Sequence, residues 1–449
     1  MSRRRRALFC LLPLLMGAAS LACRSAHVMV RDVTVIDGSG APPRAHMTVV
    51  IEGARIIEVG PVAAVVSRAG AEVVDGRGRY LMPGLMDAHV HLHEVGRGAL
   101  ALYAAAGVTT VRDMGTAMDS IRALRAAIAE GALRGPRVLA SGAAIEDANW
   151  MTRFGSDARG RRRPNHVLVA DASAAVGIVD SLARAGADFI KIRNAADAPT
   201  FFAIARAARA RGLALVGHAI YSVDPATAAD SGQRSFEHAF YPDGASRMRR
   251  DSLEVIIASF RRNRIAQVPT LATWQQRRTA AELLLLRVSD SALAHDPRTR
   301  LVSPLLIAHW REELLGRIKE NDGKPQSAKS LASWGDALDR MGPDLAVLHR
   351  AGVTVLVGSD LPNGRFPGDD THEEMQRLAS AVGLSPMDVL VAATSASARF
   401  FGMADSVGTI APGMIADLVL LRSNPVENIA NVATVVRVWL RGQSLVPAR

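Results

Sequence analysis

Met82-Pro83-Gly84-Leu85-Met86-Asp87-Ala88-His89-Val90-His91-Leu92-His93 is the stretch on which the reading of this chain turns. Pro83 and Gly84 stop whatever precedes them, and an apolar run follows. His89 and His91 are two apart, so in an extended strand both imidazoles leave the same face. Isolated His-x-His pairs are common on surfaces and in hydrogen-bonded cores. This one sits among Leu85, Met86 and Val90, and a strand buried on both faces has little reason to carry several imidazoles unless they are ligands. The pair must then be completed from elsewhere.

Upstream, short alternating runs at 28–36, 47–51 and 55–59 are separated by Asp37-Gly38 and Glu52-Gly53, the signature of small β-strands. They bury too little alone. Runs at 416–421 and 432–440 near the other end are of the same kind, so the two ends are expected to build one small β-sandwich from 24–82 and 403–449. Between them the rhythm changes. Strand-like runs at 85–91, 108–112, 137–141, 189–192, 213–218, 235–238, 266–269 and 353–358 alternate with Ala-, Leu- and Arg-rich helical segments such as 118–130, 199–211 and 253–263. Eight such repeats over 83–402 predict an α/β fold, a (β/α)8 TIM-type barrel. The stretch near 274–341 is too long for a simple connection and reads as inserted helices at the barrel mouth. The 143–165 segment, with Arg161, Arg162 and Arg163, is a second candidate lid or a solvated loop.

In such a barrel the chemistry sits where the strands end. Strand one ends in His89 and His91, the fourth in Lys191, the fifth in His218 and the sixth in His238, and Asp360 follows the eighth. One strand-end histidine is usually structural. Six such groups at successive strand ends form a constellation.

With these residues in place, the chain resembles the amidohydrolase superfamily of metal-dependent hydrolases, in its imidazolonepropionase-like and prolidase-like branch. The likeness runs from the strands before Pro83-Gly84 through the strand-end residues to Ala393-Thr394-Ser395-Ala396, Gly408-Thr409-Ile410-Ala411-Pro412-Gly413 and Ala416-Asp417-Leu418. The resemblance implies two divalent ions. His89, His91 and Asp360 would hold one, His218 and His238 the other, and Lys191, as N6-carboxylysine, would bridge them. A neutral lysine in a partly desolvated pocket is nucleophilic enough to take up CO₂, and the resulting anion offsets two divalent charges. Ligands of nitrogen and oxygen suit Zn²⁺ best, with Mn²⁺, Co²⁺ and Fe²⁺ fitting similar sites. Two such ions about 3.5–4 Å apart share a water and lower its pKa, and Asp360 beside it would act as general acid–base.

The implied activity is hydrolysis of an amide bond in a small substrate, a dipeptide or N-acyl amino acid. Tyr221 is the first candidate for polarising the substrate carbonyl. Arg112 and Arg193 are both candidates for a substrate carboxylate, and His93 either lines the pocket or supports Asp360. Glu237 is read as supporting or structural, and His372, Glu373 and Glu374 as a charge cluster at a helix N-terminus. One rival is a one-metal ring opener of imidazolonepropionase type or a deaminase. Deaminases of the superfamily commonly carry Glu three residues after the strand-five histidine, where this chain has Tyr221, and one-metal members generally lack the strand-four lysine. Lactone or phosphotriester hydrolysis uses the same two-metal chemistry. A surface binding protein on a decayed scaffold would have lost ligands, and all six are present.

The formal charge of +11 arises in an Arg-rich chain whose lysines are Lys191, Lys319, Lys324 and Lys329; aromatics are only 4%, and no recognition-helix or zinc-finger spacing occurs, which argues against nucleic acid. Arg3 to Arg6, the apolar run 7–18 and small residues up to Cys23 have the architecture of a signal peptide over 1–23. Ser20-Leu21-Ala22-Cys23 resembles a bacterial lipobox with Ser20 off pattern, so a periplasmic or secreted protein and a lipoprotein anchored through Cys23 are both expected forms. Cys10 and Cys23 are the two cysteines; the body beyond them must hold any metal without sulfur. A homo-oligomer is compatible with all of this.

Overall fold

The computed structural model describes residues 27–155, 163–195, 197–238, 250–320, 327–360 and 364–445. The leader with Cys23, and Arg161 and Arg162 of the Arg run, lie outside the described residues. Among the described residues no helix is long and apolar enough to cross a membrane.

The two ends meet in one sheet. Strands His27–Val35, Arg44–Glu52, Arg55–Pro61 and Tyr80–Pro83 are joined to Leu418–Leu421, Val435–Leu440 and Gln443–Leu445, with Glu72–Asp75 alongside the first. The seam is Tyr80–Pro83 running antiparallel to Leu418–Leu421, Tyr80 opposite Leu421 and Pro83 opposite Leu418. Alternation sets the faces: Val28, Val30, Val33 and Val35 pack in one cluster, whereas Met29 packs with Val50 and Val65 in another. The odd step from Val30 to Val33 is taken by a register shift at Asp32, whose φ of 58° marks a bulge that returns Val33 to the first face. The eight strands share one hydrogen-bonded sheet, with apolar clusters on both faces, where a sandwich of two sheets was expected.

All eight parallel strands expected between these ends are present, in two sheets. Leu85–Val90, Val108–Asp113 and Arg137–Ala140 make a three-stranded one. Phe189–Ile192, Ala214–Gly217, Gln233–Glu237, Ala266–Val268 and Thr354–Val355 belong to a seven-stranded one, which also contains Ala144–Glu146 and His166–Leu168. The first of these falls in the 143–165 segment expected to be a lid or a solvated loop, and the second begins just past its end. Ala144–Glu146 is instead structural, pairing in parallel with His166–Leu168 and reaching Ile192. The ladders do not close into one sheet. Single hydrogen bonds join the two, Ala88 N to Val357 O at 2.8 Å and Asp360 N to His89 O at 2.8 Å on one side, Asp188 N to Ala140 O at 2.9 Å on the other. The strand expected over 353–358 is cut to Thr354–Val355 because the chain then turns its hydrogen bonds from the seventh strand toward the first.

The inserted segment is helical, as its composition predicts: Leu271–Arg277, Ala281–Arg287, Asp290–Ala294, Pro304–Glu320 and Ala328–Arg350. In Pro304–Glu320, Leu306, Trp310 and Leu314 are fully buried at a spacing of four. The neighbouring stripe, His309, Glu313 and Arg317, recurs at the same spacing three residues further along and lines the cavity described next.

Candidate metal centre

The parallel strands end at a cavity of about 260 Å³ lined by His89, His91, Lys191, His218, His238 and Asp360, together with His93, Trp150, Asn165, His166 and Arg193. All six ligands expected from the sequence therefore converge on one space. Asp360 Oδ1 lies 3.2 Å from His91 Nε2 and 3.4 Å from His89 Nε2, and Asp360 Oδ2 lies 3.8 Å from His238 Nδ1. Ring centroids are 4.9 Å apart for His89 and His238 and 4.8 Å for His218 and His238. Among the described residues, His89, His91 and Asp360 bring three ligand atoms within 4.8 Å of one another.

Local backbone explains the convergence. His238, Thr270 and Asp360, where the sixth, seventh and eighth strands end, adopt φ of 63°, 52° and 56°. Left-handed backbone at a non-glycine residue costs on the order of 1 kcal/mol; His238 and Asp360 line the cavity, and Thr270 sits behind His238 with its Oγ1 2.7 Å from His238 Nδ1. Gly358 is needed for a different reason: a Cβ there would stand 2.4 Å from Val268 Cγ1 and 2.9 Å from His89 Cβ. The eighth strand thus approaches the first closely enough for Asp360 to meet the histidine pair.

The electrostatics suit metal binding. Burial lowers His89 to about 4, with Asp360 opposing and Lys191 reinforcing the shift. Burial likewise lowers His238 to about 3 and holds His218 well below an ordinary histidine. Neutral imidazoles are the ligand form. His91 differs: burial pulls it down, but Asp360, Glu94 and Asp113 together outweigh that and raise it. Burial alone would raise Asp360, but His89, His238 and His91 hold it far below the carboxylate range. Lys191 is 2% exposed, its Nζ has no hydrogen-bond partner, and burial brings it down to about 8. An orphaned, partly neutral amine beside three histidines and a carboxylate fits a carbamate-bridged metal pair.

Beneath the ligands lies a support that the sequence left mostly unread. His89 Nδ1 pairs with Glu237 Oε2 at 2.9 Å, which leaves Nε2 for the cavity. Arg112 Nη2 donates to Glu237 Oε1 at 2.8 Å, Ser235 Oγ to the same oxygen at 2.5 Å, and Arg112 Nε to Ala88 O at 2.6 Å. Burial would raise Glu237, but the Arg112 charge and the His89 contact hold it anionic. His238 Nδ1 is similarly fixed by Thr270 Oγ1 at 2.7 Å. Asp87 Oδ1 accepts from His89 N at 3.0 Å and from Ser359 N at 3.1 Å, tying the first ligand strand to the loop that carries Asp360. Its Oδ2 accepts from Thr371 Oγ1 at 2.7 Å, on helix Asp369–Arg377, and Glu374 of that helix accepts from Ala272 N at 2.7 Å just beyond Thr270. The cluster expected as a charge cluster at a helix N-terminus lies in helix Asp369–Arg377, where Glu373 pairs with Arg365 while His372 and Glu374 are buried. The sequence offers two signals for this support: Glu237, read as supporting or structural, and Asp87, a carboxylate two residues from His89 in an apolar strand.

Two expected substrate contacts are placed elsewhere. Tyr221 is 94% exposed and does not line the cavity. The turn after His218 runs out toward Asp224, which caps helix Pro225–Ser231 by accepting from Thr227 N. Tyr221→Phe is expected to change kcat/KM by less than about twofold, as surface changes away from a site do; steady-state kinetics checks this. Arg112 is enclosed below the ligands among Phe189, Phe400 and Phe401 and cannot meet a substrate carboxylate. Arg193 does line the cavity, held by Glu146 at 3.3 Å and stacked on Trp150 at 4.9 Å. His93 also lines it, 3.3 Å from Glu94 and 3.1 Å from Asn165, rather than supporting Asp360. Glu237→Gln should weaken metal affinity by about 10–100-fold, measured by titration against a chelator, and should lower Tm because Arg112 loses its counter-ion.

Comparison with known proteins agrees with this geometry. The amidohydrolase family model matches residues 80–445. An imidazolonepropionase of Anaeromyxobacter dehalogenans is 27% identical over 432 residues, 92% of each chain. Among solved structures, a Xaa-Pro dipeptidase with bound methionine in its active site superposes with a TM-score of 0.69 at 20% identity, covering 94% of this chain and 100% of that one. A bottromycin amidohydrolase gives 0.70 at 22% identity, covering 94% and 87%. These structures share the fold. With the family model spanning most of the chain, from the strand before His89 to the last strand of the terminal sheet, the protein belongs to the amidohydrolase family.

Proposed function

We propose that this chain is a binuclear metal-dependent hydrolase that cleaves the amide bond of a small substrate, a dipeptide or N-acyl amino acid, on a (β/α)8 barrel. The observation that carries the reading is Lys191: a buried, unpartnered amine lining the same cavity as His89, His218, His238 and Asp360. A one-ion site has no use for an unpaired amine there, since burying one without a hydrogen bond costs several kcal/mol.

His89, His91 and Asp360 would hold one ion and His218 and His238 the second, with Lys191 as N6-carboxylysine between them and Zn²⁺ the best match to the donors. Bound divalent ions supply Lewis acidity and a water of lowered pKa. Asp360 accepts the proton lost by the attacking water on a carboxylate oxygen and returns it to the departing amine nitrogen. Glu237 keeps His89 in one tautomer, and Arg193 is placed to meet a substrate carboxylate. In this reading residues 1–23 direct export of the protein, with Cys23 available for lipidation.

The second reading, a one-ion opening of a cyclic amide, is favoured by the imidazolonepropionase relative. The two are separated by assaying the metal-loaded protein on dipeptides, N-acyl amino acids and an imidazolone. Chelator-sensitive release of an amine from the linear amides is expected. Turnover of the cyclic amide alone would overturn the proposal.

A further inference from the structure

The inserted helices have two sides. Inward, Pro304–Glu320 sends Leu306, Trp310 and Leu314 into the core and turns His309, Glu313 and Arg317 to the metal cavity. Outward, the insertion is apolar. Leu305 and Leu315 of this helix are 78% and 55% exposed, Leu283 and Leu286 of helix Ala281–Arg287 are 59% and 66% exposed, and Leu301, just before Pro304, is 42% exposed. Among the described residues these are all the exposed leucines, although leucine occurs along the whole chain. One exposed leucine needs no explanation, but five gathered on a single insertion mark a surface that something covers.

The two helices are neighbours. Arg317 Nη2 donates to Thr279 O at 2.8 Å, before Ala281–Arg287 begins, and Arg311 Nε donates to Val288 O at 2.8 Å, just past its end. They therefore run antiparallel, with Leu315 level with Leu283 and Leu286. Beyond Val288 the surface continues as a groove of about 370 Å³ lined by Leu293, Ala294, Pro304, Ile307 and Ala308, with Asp290 and Arg311 at its edge.

The charges around this surface decide what covers it. Arg287, Arg300 and Glu312 are exposed and, among the described residues, have no ion-pair partner, while Asp290 pairs with Arg311 and is 95% exposed. An anionic lipid surface meets two carboxylates here as well as the guanidiniums, and so gains little. A second copy of the same face presents both signs, so the unpaired arginines of one copy can face the unpaired glutamate of the other. An apolar centre within a polar rim is also the anatomy of a protein contact.

We infer that this outer face is the contact between two copies of the chain, related by a two-fold axis, with Leu283, Leu286, Leu305 and Leu315 buried against the same residues of the second copy. The inference goes beyond the proposed reaction and does not depend on it. Because the inner side of the same helices lines the cavity, the contact braces the cavity wall from behind.

Sedimentation equilibrium of the purified protein tests it. Wild type is expected to form a dimer that dissociates at micromolar concentration or below. Leu286→Glu and Leu315→Glu each bring an unpaired charge into the centre of the contact and should each weaken association by about 30-fold or more. Both side chains are more than half exposed in a single copy, so the subunit itself should keep its fold, which circular dichroism and Tm check. Val66→Glu, at a 78% exposed residue between two strands of the terminal sheet, is the control and should leave the dimer unchanged. A wild type that stays monomeric at the highest attainable concentration overturns the inference. So does a dimer that neither leucine variant weakens, or that Val66→Glu weakens as much. Flotation with phosphatidylglycerol vesicles examines the other occupant: a monomer that binds them in wild type and not in Leu286→Glu overturns the second copy in favour of a lipid surface. None of these measurements needs a substrate, so the contact and the hydrolase reading fail separately.

Discussion

Asp360→Asn is expected to lower kcat by roughly 10³–10⁴-fold, the range of a lost general acid–base, while most of the bound metal is retained. The asymmetry follows from what the substitution removes. An asparagine keeps an oxygen near His89 and His91, which lie 3.4 Å and 3.2 Å from the native carboxylate, and so it can still ligate. It cannot take a proton from water. The three histidines hold the Asp360 carboxyl strongly anionic, so in the metal-free protein it is fully deprotonated at neutral pH and ready to accept. Elemental analysis and single-turnover kinetics on one preparation check this. Parallel loss of metal and kcat would make Asp360 a ligand and nothing more.

The second large effect is at Lys191. Lys191→Met should reduce kcat/KM by at least about 10³-fold and yet raise the Tm of the metal-free protein. The native amine is buried without a partner, a burden that a methionine of similar length relieves. Its pKa of about 8 means that about one-tenth of the amine is neutral at pH 7, against a few in ten thousand for an ordinary lysine. Carboxylation needs that neutral form, so metal reconstitution in bicarbonate should quicken as pH rises from 6 toward 8 and then level off. A Tm that falls on substitution, or a reconstitution rate indifferent to pH, would contradict this role.

The division between what could and could not be read in the sequence is physical. His89 and His91 were legible because strand periodicity fixes the face of a residue two positions away, and His218 and His238 because an apolar run ends at each. Of the support only Glu237 was read as supporting or structural, because its pairings join residues far apart in sequence: Arg112 with Glu237, and Asp87 with Ser359 and Thr371. Arg112 looked like a substrate contact by its strand-end position, but side chains at a strand's end divide between the cavity and the packed interior below it. Tyr221 was misplaced because the turn after His218 leaves the strand direction for the Asp224 cap. Ala144–Glu146 was hidden by its length, three residues being too short for a periodic signal.

The most direct test counts metal ions per protomer by elemental analysis in wild type and in Lys191→Ala. Close to two divalent ions in wild type, falling to one or fewer in the variant, is the predicted result. One ion in both proteins would contradict the carbamate-bridged pair and leave the one-ion opening of a cyclic amide as the reading of this site.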